Sequence, residues 1–440
     1  MATSKQTKTH SRDPQKTTGH FLPGSSPEDS SPHLRLPAKE HVEYQQWYEN
    51  ETEIKGFSFK KMYNDFLENP SSSILSVVVL VIVTIFAILA GVMAIRFLPA
   101  PKTTYTSNLF RWNAYRKIPM EQVGYEFENA ILLPLKNPTC FTLDSDNRLY
   151  VAGDQKIILF TPSGDKLDTI SLKADPTCLF IAGPGCLFEN DLLVGYADSL
   201  EVYKRSSGNQ MESNPYFQWN LPGKSPILRK FITDEDSIIL ADAGEKGVHF
   251  LDVEGNILRQ LGFSQGETPE GFSGFNIPAL PFLDVVQSPT EGFFFVTNPG
   301  KHRVEAFSKS GEWLPDRSWG VYSVYHEGFC GCCNPTGLSM FNDGRFLTTE
   351  KFIARVKVHN STGEFQSVVV TPEELDKPPT VFLNVPDGTK LEYRPALDAS
   401  QPVHATVTSD ERIAVLDPRY CIVRYYREKD GGNREQNTAQ

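Results

Sequence analysis

The chain repeats itself with a period of about 35 to 45 residues, and this repeat constrains the fold more than any other feature. The stretch "NPTCFTLDSDNRLYVAGDQKIILFTPSGDKLDTISL", from Asn137, aligns with "NPTGLSMFNDGRFLTTEKFIARVKVHNSTGEFQSVVV", from Asn334. Both predict four short strands separated by turns rich in Gly, Asn and Asp. Further copies begin at Asp175 and Gln401, and two less regular ones are "KFITDEDSIILADAGEKGVHFLDVEGNILRQLG" and "LDVVQSPTEGFFFVTNPGKHRVEAFSKSGEWL".

Repeated four-stranded units bury both faces of each sheet only by stacking radially, so the repeat predicts an all-β, six-bladed β-propeller over residues 119–428. The last copy lacks a clear fourth strand after "CIVRYY". We expect the strand-like segment 121–135, which precedes the first copy, to supply that strand and close the ring. The irregular spacing between Asn220 and Gly320 leaves five or seven blades open.

Two of the copies resemble NHL repeats. They are "TNPGKHRVEAFSKSGEWL", from Thr297, and "DGRFLTTEKFIARVKVHNSTGEF", from Asp343. The resemblance implies a six-bladed propeller but no single activity, because such propellers include binding modules, lactonases and an amidating lyase. In those enzymes calcium is held by axial acidic and amide side chains, or zinc by several axial histidines. Here the axis offers cysteines with one histidine, so neither chemistry carries over.

The run "ILSVVVLVIVTIFAILAGVMAI", residues 74–95, contains no charged side chain. At about 1.5 Å per residue it is long enough to cross a bilayer core of about 30 Å. A signal peptide would be shorter and nearer the N-terminus, and a core helix would carry a polar stripe. The run therefore predicts one transmembrane helix at residues 73–98. Lysines and arginines flank it on both sides, so we place the N-terminus in the cytoplasm because the tail has no export signal of its own.

The remaining segments follow from composition. Residues 1–43 are polar and predicted to be disordered, as are residues 429–440. Residues 44–72 mix aromatic and charged side chains, which is typical of an amphipathic juxtamembrane segment, a docking surface or a partly ordered linker. Residues 99–118 form a second linker. The net charge of −11 argues against a nucleic-acid partner, since phosphate binding needs clustered basic residues.

The stretch "HEGFCGCCNP", from His326, holds three of the seven cysteines. The alignment of the repeats shows how this stretch is placed relative to the other cysteines. In "NPTC", "DPTC" and "QPVH" the last positions, at the start of each innermost strand, are Cys140, Cys178 and His404, and the "CGCC" loop precedes the matching "NPTG". Because the innermost strands of a propeller line its axis, we expect these residues to converge at one end of the central channel.

Three interpretations of this cluster remain open. Thiolates and imidazole suit Zn, Cu or Fe, with an iron–sulfur centre included. The candidate metal ligands are Cys140, Cys178, Cys330, Cys332, Cys333, His404 and His326. Outside the cytosol the same cysteines could instead form disulfides, with Cys140 bonded to Cys178 and the "CGCC" loop to Cys186. They could also be small buried hydrophobic residues.

A second set of polar residues follows the second strand of several copies, and we interpret it chiefly as the repeat's own hydrogen bonds and salt bridges. Its members are Asp242, Asn298, Glu350, Lys351, Arg355, Asp417 and Arg419. The favoured function is a membrane-anchored, extracytoplasmic (periplasmic or extracellular) propeller that serves as a binding, docking or redox-linked subunit. Its expected partners are other subunits of a membrane complex or an extracytoplasmic protein, and the lipid bilayer. The alternative is a metal-dependent hydrolase or lyase with its site at the axial mouth.

Overall fold

The computed structural model describes residues 83–85, 116–205, 211–262, 268–331, 333–385 and 402–429. The chain divides into two compact units, Met1–Thr103 and Thr104–Gln440. In the first unit the described residues are helical and exposed. The rest of the predicted span at 73–98 lies outside the described residues, as do nearly all of the predicted tails and linkers. Within the described ranges, no helix has the length and apolar character that a membrane crossing requires.

The second unit is a ring of six antiparallel sheets, which confirms the six-bladed propeller predicted from the repeat. Strand β1 (Tyr125–Leu132) precedes the first blade. Blade 1 contains β2 (Pro138–Leu143), β3 (Leu149–Gly153), β4 (Lys156–Phe160) and β5 (Lys166–Ser171). Blade 2 contains β6 (Cys178–Ile181), β7 (Leu192–Gly195), β8 (Ser199–Tyr203) and β9 (Phe217–Asn220). Blade 3 contains β10 (Leu228–Thr233), β11 (Ile238–Asp242), β12 (Gly247–Leu251) and β13 (Ile257–Leu261).

The other three blades vary this plan. Blade 4 contains β14 (Val285–Gln287), β15 (Phe294–Asn298) and β16 (Arg303–Phe307). Blade 5 contains β17 (Gly337–Met340), β18 (Phe346–Glu350), β19 (Arg355–His359) and β20 (Phe365–Val370), followed by the short helix α1 (Pro372–Leu375). Blade 6 contains β21 (His404–Val407), β22 (Ile413–Asp417) and β23 (Ile422–Glu428).

Strand β1 closes the ring as the outer strand of blade 6. It pairs antiparallel with β23, from Tyr125 opposite Glu428 to Leu132 opposite Ile422. The blade therefore has the order β1-β23-β22-β21, which joins the N-terminal segment of the propeller to its last strand. The closure that the sequence predicts for residues 121–135 is confirmed.

Blade 4 departs from the four-stranded pattern that the repeat predicts. Its three strands are followed by single bridges from Phe307 to Trp313 and from Val304 to Trp319. Between these bridges the chain forms a 3₁₀ turn at Pro315–Arg317. Proline has no N–H to donate to a ladder, so the turn interrupts what would be the fourth strand.

The hydrophobic core lies between the blades rather than within one central mass. One cluster joins blades 1 and 2 through residues such as Ala152 and Val194. Another joins blades 6 and 1 through Val423 and Ile158, and related clusters fill the remaining interfaces. Because every sheet is covered on both faces, second strands such as β3 are buried along their whole length. The innermost strands β2, β6, β10, β14, β17 and β21 consequently face the axis.

Candidate functional site

Equivalent positions at the starts of the six innermost strands form a ring around the axis, which we call the axial ring. Its members are Cys140, Cys178, Lys230, Asp284, Gly337 and His404. Five of them pair with equivalent residues of the second strands, namely Ala152, Gly195, Ala241, Thr349 and Leu416. In blade 4 the backbone carbonyl of Asp284 accepts a hydrogen bond of 2.9 Å from Thr297, which places Asp284 in the same register.

The axial ring lies at one end of a cavity that all six innermost strands line. The cavity holds about 250 Å³, and its wall combines apolar side chains such as Ile232 and Val286 with the hydroxyl groups of Thr142, Ser339 and Thr406. The structure therefore brings three of the seven predicted ligands to one cavity: Cys140, Cys178 and His404. A cavity that combines apolar wall segments with a limited number of polar groups is the usual form of a small-molecule site.

Burial keeps the two cysteine thiols of the axial ring protonated. It raises the pKa of Cys140 to about 12, and the pKa of Cys178 is raised by burial and by its neighbour Cys140. The Cys140 thiol donates a weak hydrogen bond to the carbonyl oxygen of Pro176 at 3.7 Å. Because the thiolate is the form that binds metals, these environments are unfavourable to ligation.

The predicted Cys140–Cys178 disulfide is not formed, and both residues are thiols, as are Cys186 and Cys330. The geometry explains this result. Cys140 packs in the core between blades 1 and 2, whereas Cys178 packs against Leu228 and Phe231 in the core between blades 2 and 3. The disulfide with the "CGCC" loop is likewise absent for Cys186.

Among the residues that the structure describes, no three His, Cys, Asp or Glu side chains are grouped as a metal ion would require. Cys330, Cys333 and His326, all of which the structure describes, do not line the axial cavity. Cys332 lies outside the described residues. A metal at the predicted ligands stays a prediction, and the described donors fit it poorly because they occupy separate interfaces.

His404 is neutral at physiological pH. Burial, together with the positive charges of Lys230 and Arg229, lowers its pKa to about 4. The imidazole therefore offers the cavity one hydrogen-bond donor and one acceptor.

Lys230 and Asp284 are the charged members of the axial ring, and sequence reasoning missed both. Their Nζ and Oδ1 atoms are 3.8 Å apart. The Asp284 carboxylate also accepts hydrogen bonds from the backbone N–H groups of Leu338, at 2.8 Å, and Val285, at 2.9 Å. Burial raises the pKa of Asp284, an effect that Lys230 opposes.

The "CGCC" loop packs on blade 5 through buried charges. Cys330 donates its backbone N–H to Glu350 Oε1 at 3.2 Å, and its sulfur accepts from Arg355 Nη2 at 3.4 Å. Lys357 Nζ donates to the carbonyl oxygens of Gly328, at 2.7 Å, and His326, at 3.1 Å. These bonds fasten the loop to strands β18 and β19, away from the axial cavity.

Burial shifts the titration of this loop and its supports. It raises the pKa of Cys330 to about 11 and lowers the pKa of Lys357 to about 8. Burial also lowers the pKa of His326, whose Nε2 lies 3.2 Å from Glu327 Oε1. At neutral pH the loop therefore holds a thiol, not a thiolate.

The second predicted set of polar residues serves the repeat itself, as the structural interpretation of the sequence expects. Asp417 binds Arg419 at 2.9 Å and Arg424 at 3.2 Å. Asn298 Nδ2 donates to Glu305 Oε1 at 3.2 Å. Asp242 Oδ1 accepts three backbone N–H groups, from Ile227, Gly244 and Glu245. Lys351 is the exception, because its Nζ has no hydrogen-bond partner in the described part of the chain.

Comparison with known proteins finds similarity only to solved structures, and at low scores. No family model matches the chain, and no curated protein matches it. Among solved structures, it is similar to a streptogramin B lyase, with a TM-score of 0.43 and 9% identity over 69% of this chain and 98% of that one. It is also similar to virginiamycin B lyase from Staphylococcus aureus, with a TM-score of 0.42 and 12% identity over 68% and 99%. At such identities the likeness carries no activity to this chain.

Proposed function

We propose that this chain is a non-catalytic binding propeller and that its axial cavity is the ligand site. The observation that carries the proposal is the cavity itself, which all six innermost strands line with both apolar and polar side chains. Apolar walls supply binding energy, and the few polar groups fix the orientation of a ligand.

The alternative, a metal-dependent hydrolase or lyase, has weaker support from the described residues. Such an enzyme needs grouped donors and an acid or base poised near the working pH. Cys140 and Cys178 are protonated thiols in different interfaces, and the pKa of His404, about 4, makes it a weak base.

The proposal includes the membrane anchor predicted at residues 73–98, with the propeller outside the cytosol and neighbouring subunits as partners. The uncharged run of residues 74–95 supports the anchor. We expect the full chain to stay with the membrane fraction after alkaline extraction. We also expect protease to digest the propeller when it is added to intact cells whose outer layer has been made permeable. Release into the soluble fraction would contradict the anchor without affecting the cavity.

The cavity is tested with a bulky substitution on its wall. Ser339 lines the cavity from β17, so Ser339→Phe fills part of the space, whereas Ser310→Phe adds the same ring to an exposed turn. The probe is 1-hexanol, and saturation-transfer NMR measures its binding to the full chain in detergent. We expect Ser339→Phe to abolish a signal that the wild type and Ser310→Phe share.

When the Ser339→Phe signal is subtracted from the wild-type signal, the contribution of 1-hexanol bound to the detergent micelle is removed. Circular dichroism of each variant checks folding, and the smaller Ser339→Leu provides a second test if the phenylalanine disrupts the blade. Equal signals from all folded variants would overturn the proposed site.

A further inference from the structure

The strand-start end of the axial cavity carries a concentration of positive charge. Arg229 and Lys230 both line the cavity there, and Asp284 is the one acidic side chain among the described residues of its wall. This excess is local, because the chain as a whole has a net charge of −11. A cavity with more cations than anions in a desolvated wall favours an anionic occupant.

Two cations at this end contact the same aromatic ring. The guanidinium carbon of Arg229 lies 5.6 Å from the ring centroid of Phe282, and Lys351 Nζ lies 4.9 Å from it. Phe282 itself lines the cavity. Phe282 is therefore in contact both with Arg229 of β10 in blade 3 and with Lys351, which follows β18 in blade 5 and lies behind the residues that line the cavity.

Neither cation has its hydrogen-bonding capacity met. In the described part of the chain, Lys351 Nζ and Arg229 Nε are buried without a hydrogen-bond partner. Lys351 is fully buried. An unpaired buried ammonium is costly, and a bound anion is one explanation for a buried polar group that lacks a partner. Arg229 adds a planar fork that suits the two oxygens of a carboxylate.

We propose that the axial cavity binds a small organic carboxylate, with its anionic group beside Arg229 and Lys230, at the Phe282 ring that Lys351 also contacts, and its apolar part along the channel. This inference rests on the proposed function, because it names the ligand class of the same cavity. The apolar walls beyond the axial ring, including Ile181, Val286 and Leu338, accommodate the apolar part. A volume of about 250 Å³ limits the occupant to a small molecule.

The test compares three probes of equal chain length on the full protein: hexanoate, 1-hexanol and hexylammonium. We expect hexanoate to bind about tenfold more tightly than 1-hexanol, and hexylammonium more weakly than both, since a charged hydrogen bond is worth about that factor or more. Arg229→Met should remove the preference for hexanoate while 1-hexanol binding is retained. The matched control is Arg427→Met, because Arg427 is an exposed arginine that pairs with Glu126 on the outside of blade 6.

Lys351→Met provides a second, independent readout. We expect it to weaken hexanoate binding and at the same time raise the Tm in the absence of any probe, because it removes an unpaired buried charge and retains the volume. A purely structural lysine would lower the Tm when replaced.

The outcomes separate the two proposals. Equal affinities for hexanoate and 1-hexanol, both lost in Ser339→Phe, would overturn the carboxylate inference and retain the binding cavity. Absence of binding by all three probes would overturn both. A hexanoate preference that survives Arg229→Met and Lys351→Met would also overturn the inference.

Discussion

Glu350 Oε2 accepts a hydrogen bond of 2.6 Å from Arg355 Nε, and both side chains are fully buried beneath the "CGCC" loop. Lys357 Nζ lies 3.5 Å from the same carboxylate oxygen. One acid thus compensates two cations in a fully buried site, and the loop closes over them.

Replacement of that acid should be strongly destabilising. Glu350→Gln leaves Arg355 and Lys357 buried without a counter-charge, and we expect a loss of about 3–5 kcal/mol in the free energy of unfolding. Urea denaturation followed by fluorescence measures it. Glu126→Gln, which breaks the exposed pair with Arg427, should change stability by less than about 1 kcal/mol. Equal effects of the two variants would contradict the buried network.

Stability should fall in mild acid through His404. Its folded pKa of about 4 lies below the usual value of 6.5, so the unfolded chain takes up the proton first as the pH drops. Between pH 6.5 and pH 4 this site alone should remove up to about 3 kcal/mol from the free energy of unfolding. His404→Gln should show a correspondingly smaller loss when unfolding is measured at pH 7 and pH 4.5. Parallel pH profiles for the two proteins would show that His404 titrates normally.

The cysteines should differ in reactivity. Burial raises the pKa of all four thiols, but Cys140, Cys178 and Cys330 are buried, whereas Cys186 is half-buried. In the native protein a thiol reagent should therefore label Cys186 well before the other three, which should react only on unfolding. Peptide mass spectrometry after timed labelling gives the order. Rapid labelling of Cys140 in the native state would contradict its burial.

The closing strand β1 should be part of the cooperative fold. Ile131 is fully buried between blades 6 and 1, so Ile131→Ala should cost about 2–5 kcal/mol. Met120→Ala changes a side chain that is 71% exposed and should stay within about 0.5 kcal/mol of the wild type. If Ile131→Ala left the urea midpoint unchanged, β1 would be a loosely attached strand.

The regular parts of the fold could be predicted because each repeat carries its own turn residues. The copies beginning at Asn137 and Asn334 share spacing, and their register correctly placed Cys140, Cys178 and His404 at the axis. The prediction of a fourth strand in blade 4 was wrong. The apolar pattern of Trp313 and Trp319 indicates a strand, but Pro315 lies between them, has no N–H to donate and begins a 3₁₀ turn, so only single bridges form.

The two charged residues of the axial ring, Lys230 and Asp284, were not predicted, for a related reason. In blade 3 the corresponding motif "SPIL" ends at Leu228, two residues before Lys230, which pairs with Ala241 and occupies the ring. In blade 4, Pro281 stands three residues before the ring position, whereas the prolines of blades 1, 2, 5 and 6 stand two residues before it, and this hides Asp284. A search for charged residues within two positions of each motif would have found both.

The path of the "CGCC" loop could not be predicted because it lies between repeats and has no register to follow. Its position depends on Lys357, which lies on a strand that follows the loop in the chain. Lys357 donates hydrogen bonds to the carbonyl oxygens of Gly328 and His326. Nothing in the local sequence distinguishes that lysine from a solvent-exposed one.

The pairing of β1 with β23 has a consequence for how the protein is made. Strand β1 leaves the ribosome before any blade, and its partner is translated last. Until then the nascent propeller is an open arc whose two terminal blades present bare apolar sides to water. The growing chain should therefore depend on chaperones throughout synthesis, and messages truncated before residue 422 should yield aggregates rather than smaller propellers.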